Sequence, residues 1–237
     1  MSVRGKGASS AGAAQARATA TRQRLIDAAV DLFTAHGYFA TGLADITSRA
    51  NVTTGAFYYH FTSKESLATA IVDQGWPKVI AEVTRCLNAP GPGLERVIAM
   101  TFRVSELLKR DKSVWMANHL AQAFGQMSAD GRQSYQEHVN RFIHRVADAL
   151  VDTDLREDFS PREAASLVWV ALHGCHLLSD ALMDSGPCAE QLRLSWSVGL
   201  RAMVPPADLP RFQQFTARIA GQYANSYELP ESSRYPA

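Results

Sequence analysis

Apolar residues recur at three- and four-residue spacing along nearly the whole chain from Thr19 to Ala224, and no segment sustains the two-residue alternation of a half-buried strand. That pattern predicts an all-α fold. The first helix is expected to start near Thr19–Thr21, to carry Leu25, Ile26, Ala29, Leu32 and Phe33 on one face, and to stop at His36 with Gly37 as its cap. Two short helices follow, at 43–50 and from Thr53 or Thr54 to His60 or Phe61, with Asn51-Val52 as the turn between them. Longer helices are expected at 63–88, 94–108, 113–127, 133–151, 161–183, 189–203 and 209–224. Pro77 lies inside the first of these, where a proline costs about 3 kcal/mol, so a kink or break is expected at Gly75-Trp76-Pro77.

The chain is long enough for a small domain joined to a larger one. Residues 1–18 are rich in glycine, alanine and serine and are expected to form a flexible basic arm, with a flexible tail at 225–237. The expected division is a small domain at 19–66 and a larger one at 67–224. The longest apolar stretch, Ser166 to Leu178, contains two histidines and is shorter than the roughly 18–20 residues of a spanning helix. The N-terminus has no apolar run of the kind a secretory signal needs. Cys86, Cys175 and Cys188 are too few and scattered for a disulfide framework. These features predict a reduced, cytoplasmic protein that neither spans a membrane nor binds one.

Charge is unevenly spread. Residues 1–64 hold seven Lys/Arg against three acids, whereas the remaining 173 hold 17 against 20. A basic head on an acidic body suits a polyanionic partner.

Two short helices joined by a tight turn, after a longer one, have the layout of a helix-turn-helix head, in which the second short helix enters the major groove. Leu43, Ile46, Ala50, Val52 and Phe57 would supply its small core. Thr53, Thr54, Gly55 and Ala56 give the second helix a start of little bulk, so its backbone can approach DNA closely. Tyr58, Tyr59 and His60 add donors, and Lys64 stands where it could hold a phosphate. Phe61 reads as core; Tyr58 reads as core or groove.

The 27-residue run from Thr41 to Leu67 carries Asp-Ile, Ala-x-Val-Thr-x-Gly-Ala, an aromatic pair, His-Phe and Ser-Lys-Glu-x-Leu. It resembles the N-terminal signature of the tetracycline-repressor family. The resemblance implies a homodimer on double-stranded DNA at a palindromic operator, with a C-terminal domain that binds a small-molecule effector. By position it implies phosphate contacts from Thr41 and Lys64, and groove contacts from Thr53, Thr54, Gly55, Tyr58, Tyr59 and His60. The segment Trp196 to Pro205 is also similar to the γ-butyrolactone receptor group of actinobacterial regulators. That group's pocket tryptophan falls at Tyr135 or His138 in this chain.

Effector candidates are Trp76, Met100, Phe102, Trp115, His119, Phe124, Met127, Tyr135, His138, Phe142, Trp169 and His173, which offer apolar walls with few polar atoms. Trp115, His119 and Tyr135 stand out because each joins an apolar body to a hydrogen-bonding atom. His173 and His176, three apart on one face, lack a third ligand at metal-site spacing, so core or interface packing is expected there and no metal or cofactor. Leu192, Trp196, Gly199 and Met203 form one helical stripe, expected to build an intersubunit four-helix bundle with the 161–183 helix; an intrachain core face is the alternative.

The expected function is a repressor released by a small, largely apolar effector such as a γ-butyrolactone-like signal, a hydrophobic metabolite or a drug. A DNA-binding activator or architectural protein without an inducer is a second reading. A helical metal-dependent hydrolase using His173, His176 and Asp180 is a third, against which stands the lack of a nucleophile–base pair; no catalytic residue is expected.

Overall fold

The computed structural model describes residues 6–127, 129–153, 155–181 and 188–224. Among these residues every regular element is a helix: α1 Lys6–His36, α2 Leu43–Arg49, α3 Thr54–His60, α4 Lys64–Leu87, α5 Gly93–Arg110, α6 Lys112–Met127, α7 Ala129–Leu150, α8 Pro161–Ala181, α9 Cys188–Met203 and α10 Leu209–Ala224. No helix among the described residues is long and apolar enough to cross a membrane.

Two starts differ from expectation by more than one residue. Helix α1 begins at Lys6, within the segment expected to be a flexible arm. Alanine at 8, 11, 13, 14, 16 and 18 is the strongest helix former, and it outweighs the scattered glycines. Thr19 and Thr21 do not cap: their hydroxyls donate one turn back, to Gln15 O and Arg17 O, both at 3.0 Å. Helix α7 begins four residues before the expected 133. The break considered at Pro77 does not occur, and α4 continues through it.

The chain divides into two compact units, one holding the residues up to Pro77 with 111–121, the other 78–110 with everything from 122. In the first unit, Leu25, Ile26, Ala29 and Phe33 of α1 pack with Ile46, Phe57, Phe61, Leu67 and Ile71, all at most 4% exposed. Leu43 and Val52, expected in that core, are half-buried. Gly75 lets α4 approach α6 closely. A Cβ there would lie 2.4 Å from the Ala117 Cβ and 2.8 Å from Ser113 O, so no side chain fits without a shift.

In the second unit α5 is the central helix, and its buried residues run from Leu94 to Leu108 against α7, α8, α9 and α10. Two polar links fix α5 against α9. The Trp196 indole N–H donates to the Thr101 hydroxyl at 3.0 Å, and the Ser105 hydroxyl donates to the Cys188 sulfur at 3.1 Å. A hydrogen bond with Cys188, followed by burial, pushes the neighbouring Cys175 thiol up. These links place α9 with Leu192, Trp196 and Met203 inward, all at most 5% exposed. The stripe expected to face a second subunit is therefore core of its own chain. Gly199 is half-buried, and a Cβ there would meet only the Met203 methyl at 3.4 Å.

Candidate functional site

The head is built from four helix termini, each capped by its own sequence. Helix α1 ends at Gly37, whose φ of +81° suits only a residue without a Cβ and whose N–H donates to Phe33 O at 2.9 Å. Helix α2 starts with the Asp45 carboxylate accepting from Gly42 N–H at 3.0 Å. It ends with Asn51 at φ +52°, while Asn51 N–H donates to Ser48 O and Val52 N–H to Thr47 O. This crossed pair is a Schellman cap, and it makes the tight turn. Helix α3 is started by Thr53, whose hydroxyl accepts from Ala56 N–H at 3.1 Å.

These caps set which residues of α3 face outward. Phe57 is fully buried and Phe61 is 4% exposed. Thr53, Thr54 and Gly55 are exposed, Ala56 and His60 half-buried. Tyr58 is 55% exposed and Tyr59 78%, which decides the first of these in favour of the surface. The edges of Tyr58 and Tyr59 stand against Phe57 and His60, with centroids at 5.4 and 4.9 Å, so neither ring hangs free. A Cβ on Gly55 would meet only Thr53 Oγ1, at 3.9 Å. Nothing inside the head demands a glycine there, although glycine costs a helix about 0.5–1 kcal/mol relative to alanine.

Two expected phosphate ligands have other work. Thr41 is 3% exposed, and its hydroxyl donates inward to Gly37 O at 2.8 Å. Lys64 donates to both Tyr38 O and Thr41 O at 2.9 Å, with its ammonium 4.5 Å from the Tyr38 ring centroid. The Thr41 side chain and two of the three Lys64 protons thus hold the α1–α2 loop in place. Sequence reasoning missed Phe39, which is 72% exposed and edge-on to Tyr38 at 5.3 Å. Its one signal was an aromatic residue in a loop, two positions after the helix-ending glycine. Also missed was the ion pair of Arg49 with Asp31 at 2.8 Å, which joins α2 to α1.

The effector candidates fall in both units. Trp76, Trp115 and His119 belong to the first; Met100, Phe102, Phe124, Met127, Tyr135, His138, Phe142, Trp169 and His173 belong to the second. Trp115 and His119 stack at 3.9 Å, and His119 Nδ1 lies 2.9 Å from Trp115 O. Met100, Phe102 and Phe142 are at most 3% exposed, so they are core. Met127 is 52% exposed. Phe124 and His138 are half-buried. Tyr135, Phe142, Trp169 and His173 do come together, with centroids at 6.4, 5.0 and 3.6 Å from Trp169. Burial pushes His173 down to about 4, outweighing its bond to Trp169 O. The side chain of Asp180 lies outside the described residues, and among those described no three His, Cys, Asp or Glu gather as a metal site. An open cleft of about 300 Å³ that sequence reasoning missed lies between Thr84, Asn88, Arg96, Arg145 and Asp148. Arg96 there donates to Leu87 O, which caps the end of α4.

Residues 25–71 match the bacterial regulatory proteins of the tetR family. The A-factor receptor protein of Streptomyces griseus is 47% identical over 62 residues, which are 26% of this chain and 22% of that protein. The uncharacterized HTH-type transcriptional regulator TtgW of Pseudomonas putida is 44% identical over 92 residues, covering 32% of this chain and 69% of that protein. The crystal structure of a gamma-butyrolactone receptor (ArpA-like protein) superimposes with a TM-score of 0.68 at 25% identity, over 86% of this chain and 99% of that one. The capped turn, the outward α3 and these matches agree: the chain belongs to the tetR family of bacterial regulatory proteins.

Proposed function

We propose that the protein is a dimeric repressor that holds a palindromic operator with α3 and is released by a small, largely apolar effector. The observation that carries the DNA reading is the outward face of α3. Gly55 is a glycine that folding does not require, beside two exposed tyrosines on a basic head. A backbone left bare at a helix start suits close approach to the groove. Thr53, Thr54, Tyr58, Tyr59 and His60 would supply the contacts, with Lys64 giving its remaining proton to a phosphate.

The dimer reading moves to the outer faces of α8 and α9. Leu167, Val170, Leu177 and Leu178 lie on one side of α8, and Leu194 and Val198 on one side of α9, between 43% and 70% exposed. A monomer rarely leaves such a row to water, and two copies related by a twofold axis would bury it as a four-helix bundle. The effector reading rests on the aromatic cluster around Trp169, and on the similarity to an A-factor receptor and a gamma-butyrolactone receptor.

A gel shift on the DNA flanking the protein's own gene, repeated with organic extracts of the host culture, tests the whole reading. A retarded band that one extract fraction releases is expected. Failure to retard any flanking fragment at low salt overturns it.

A further inference from the structure

Three rings of the second unit, Tyr135 of α7 with Trp169 and His173 of α8, are each only partly buried and share one neighbourhood. His173 stacks on Trp169 at 3.6 Å, and its Nδ1 lies 3.1 Å from Trp169 O. A carbonyl oxygen can only accept, so Nδ1 carries the proton. In the neutral ring Nε2 is then a bare acceptor. Among the described residues no hydrogen bond reaches that nitrogen or the Tyr135 hydroxyl, and neither is among the buried side-chain atoms without a partner, so both are open to water. Phe142 of α7 adds a fourth ring, edge-to-face with Trp169 at 5.0 Å. Gly125 lets the Tyr135 ring lie this close to α6, since a Cβ there would stand 3.1–3.3 Å from the Tyr135 side chain.

We propose that Tyr135, Trp169 and His173 form a subsite for an uncharged ring compound bearing a hydroxyl or N–H, its flat body among the aromatic rings and its donor given to Nε2 of His173. The inference rests on the effector reading above and narrows it. A compound whose polar atoms only accept, such as a simple lactone, ester or ether, can take a hydrogen bond from Tyr135 but leaves Nε2 unpaired once water is shut out. That mismatch weakens binding about tenfold. Burial agrees with this protonation state, since it holds His173 neutral throughout the physiological range.

The test uses the full chain and two uncharged probes of nearly equal shape, 1-naphthol and 1-methoxynaphthalene, with binding measured by calorimetry. The naphthol is expected to bind about tenfold more tightly. His173→Phe keeps a ring on Trp169 and removes the acceptor, and is expected to bring the two probes together. Tyr135→Phe is expected to keep the preference. The pair indole and 1-methylindole repeats the comparison in the unaltered protein, so the result does not depend on a variant that folds. Equal binding of the members of both pairs, a preference that survives His173→Phe, or no binding of any probe overturns the subsite. Loss of the subsite alone would leave extract-driven release of DNA intact. Loss of the effector reading would abolish that release whatever the probes do.

Discussion

Lys64 donates to the carbonyl of Tyr38 at 2.9 Å while its ammonium lies over the ring of the same residue, across 26 positions of sequence. With Thr41 O as its second acceptor, one lysine at the start of α4 fixes the loop between α1 and α2. Charged donors to backbone carbonyls contribute more than neutral ones. Lys64→Met is expected to destabilise the protein by about 2 kcal/mol in denaturant unfolding, with DNA affinity lowered as well. A change below about 0.5 kcal/mol, the range of ordinary surface substitutions, would return Lys64 to the role of a plain phosphate contact.

Gly55 offers the opposite case. An alanine methyl meets open space, so Gly55→Ala is expected to raise stability by about 0.5–1 kcal/mol through helix propensity. The same methyl would intrude on the surface offered to DNA, and operator affinity is expected to fall at least tenfold. Unfolding curves and gel shifts on one preparation separate the effects; unchanged affinity would remove α3 from the groove.

The two faces of α9 should respond differently. Trp196→Phe removes the bond to Thr101 and is expected to cost about 1–2 kcal/mol without altering the assembly state. Val198→Glu, at a position 70% exposed, is expected to leave the folded chain intact and shift it toward monomer in sedimentation velocity. An unchanged sedimentation coefficient for Val198→Glu, with a lowered one for Trp196→Phe, would restore the inward stripe as the interface.

His173 predicts an acid sensitivity. Its folded value is about 4 and its ordinary value 6.5. Between those pH values the unfolded chain takes up a proton here that the folded chain does not. Stability therefore falls as pH falls through that window, and the loss is complete below about 4. At most about 3 kcal/mol is involved. Comparing unfolding midpoints at pH 7 and 4.5 should show a smaller drop for His173→Phe than for the unaltered chain. Equal drops would mean that His173 is not held neutral by burial.

The head was largely legible because its information is local. Gly37, Asn51 and Thr53 are capping residues whose chemistry acts within one turn, and each stands where its sequence places it. What was not legible came from longer range. The inward role of Lys64 depends on carbonyls 23 and 26 residues away, and no spacing rule points to them. The stripe of Leu192, Trp196 and Met203 showed helical period correctly, but periodicity cannot say whether the apolar partner is the same chain or a second one. Thr101, a polar residue in the middle of α5, decided it. In the aromatic cluster, residue types were readable, but which of a dozen candidates meet depended on how α7 packs on α8. The start of α1 was lost because a glycine- and alanine-rich segment reads as a linker by composition and as a helix by propensity.

Two of the four tryptophans lie under a histidine ring four residues further on, Trp115 under His119 and Trp169 under His173. A neutral imidazole leaves an excited indole bright, whereas an imidazolium takes its electron and darkens it. The chain thus carries optical reporters that need no label. Trp169 should dim only when acid protonates the half-buried His173, or change when a guest slides against its stack.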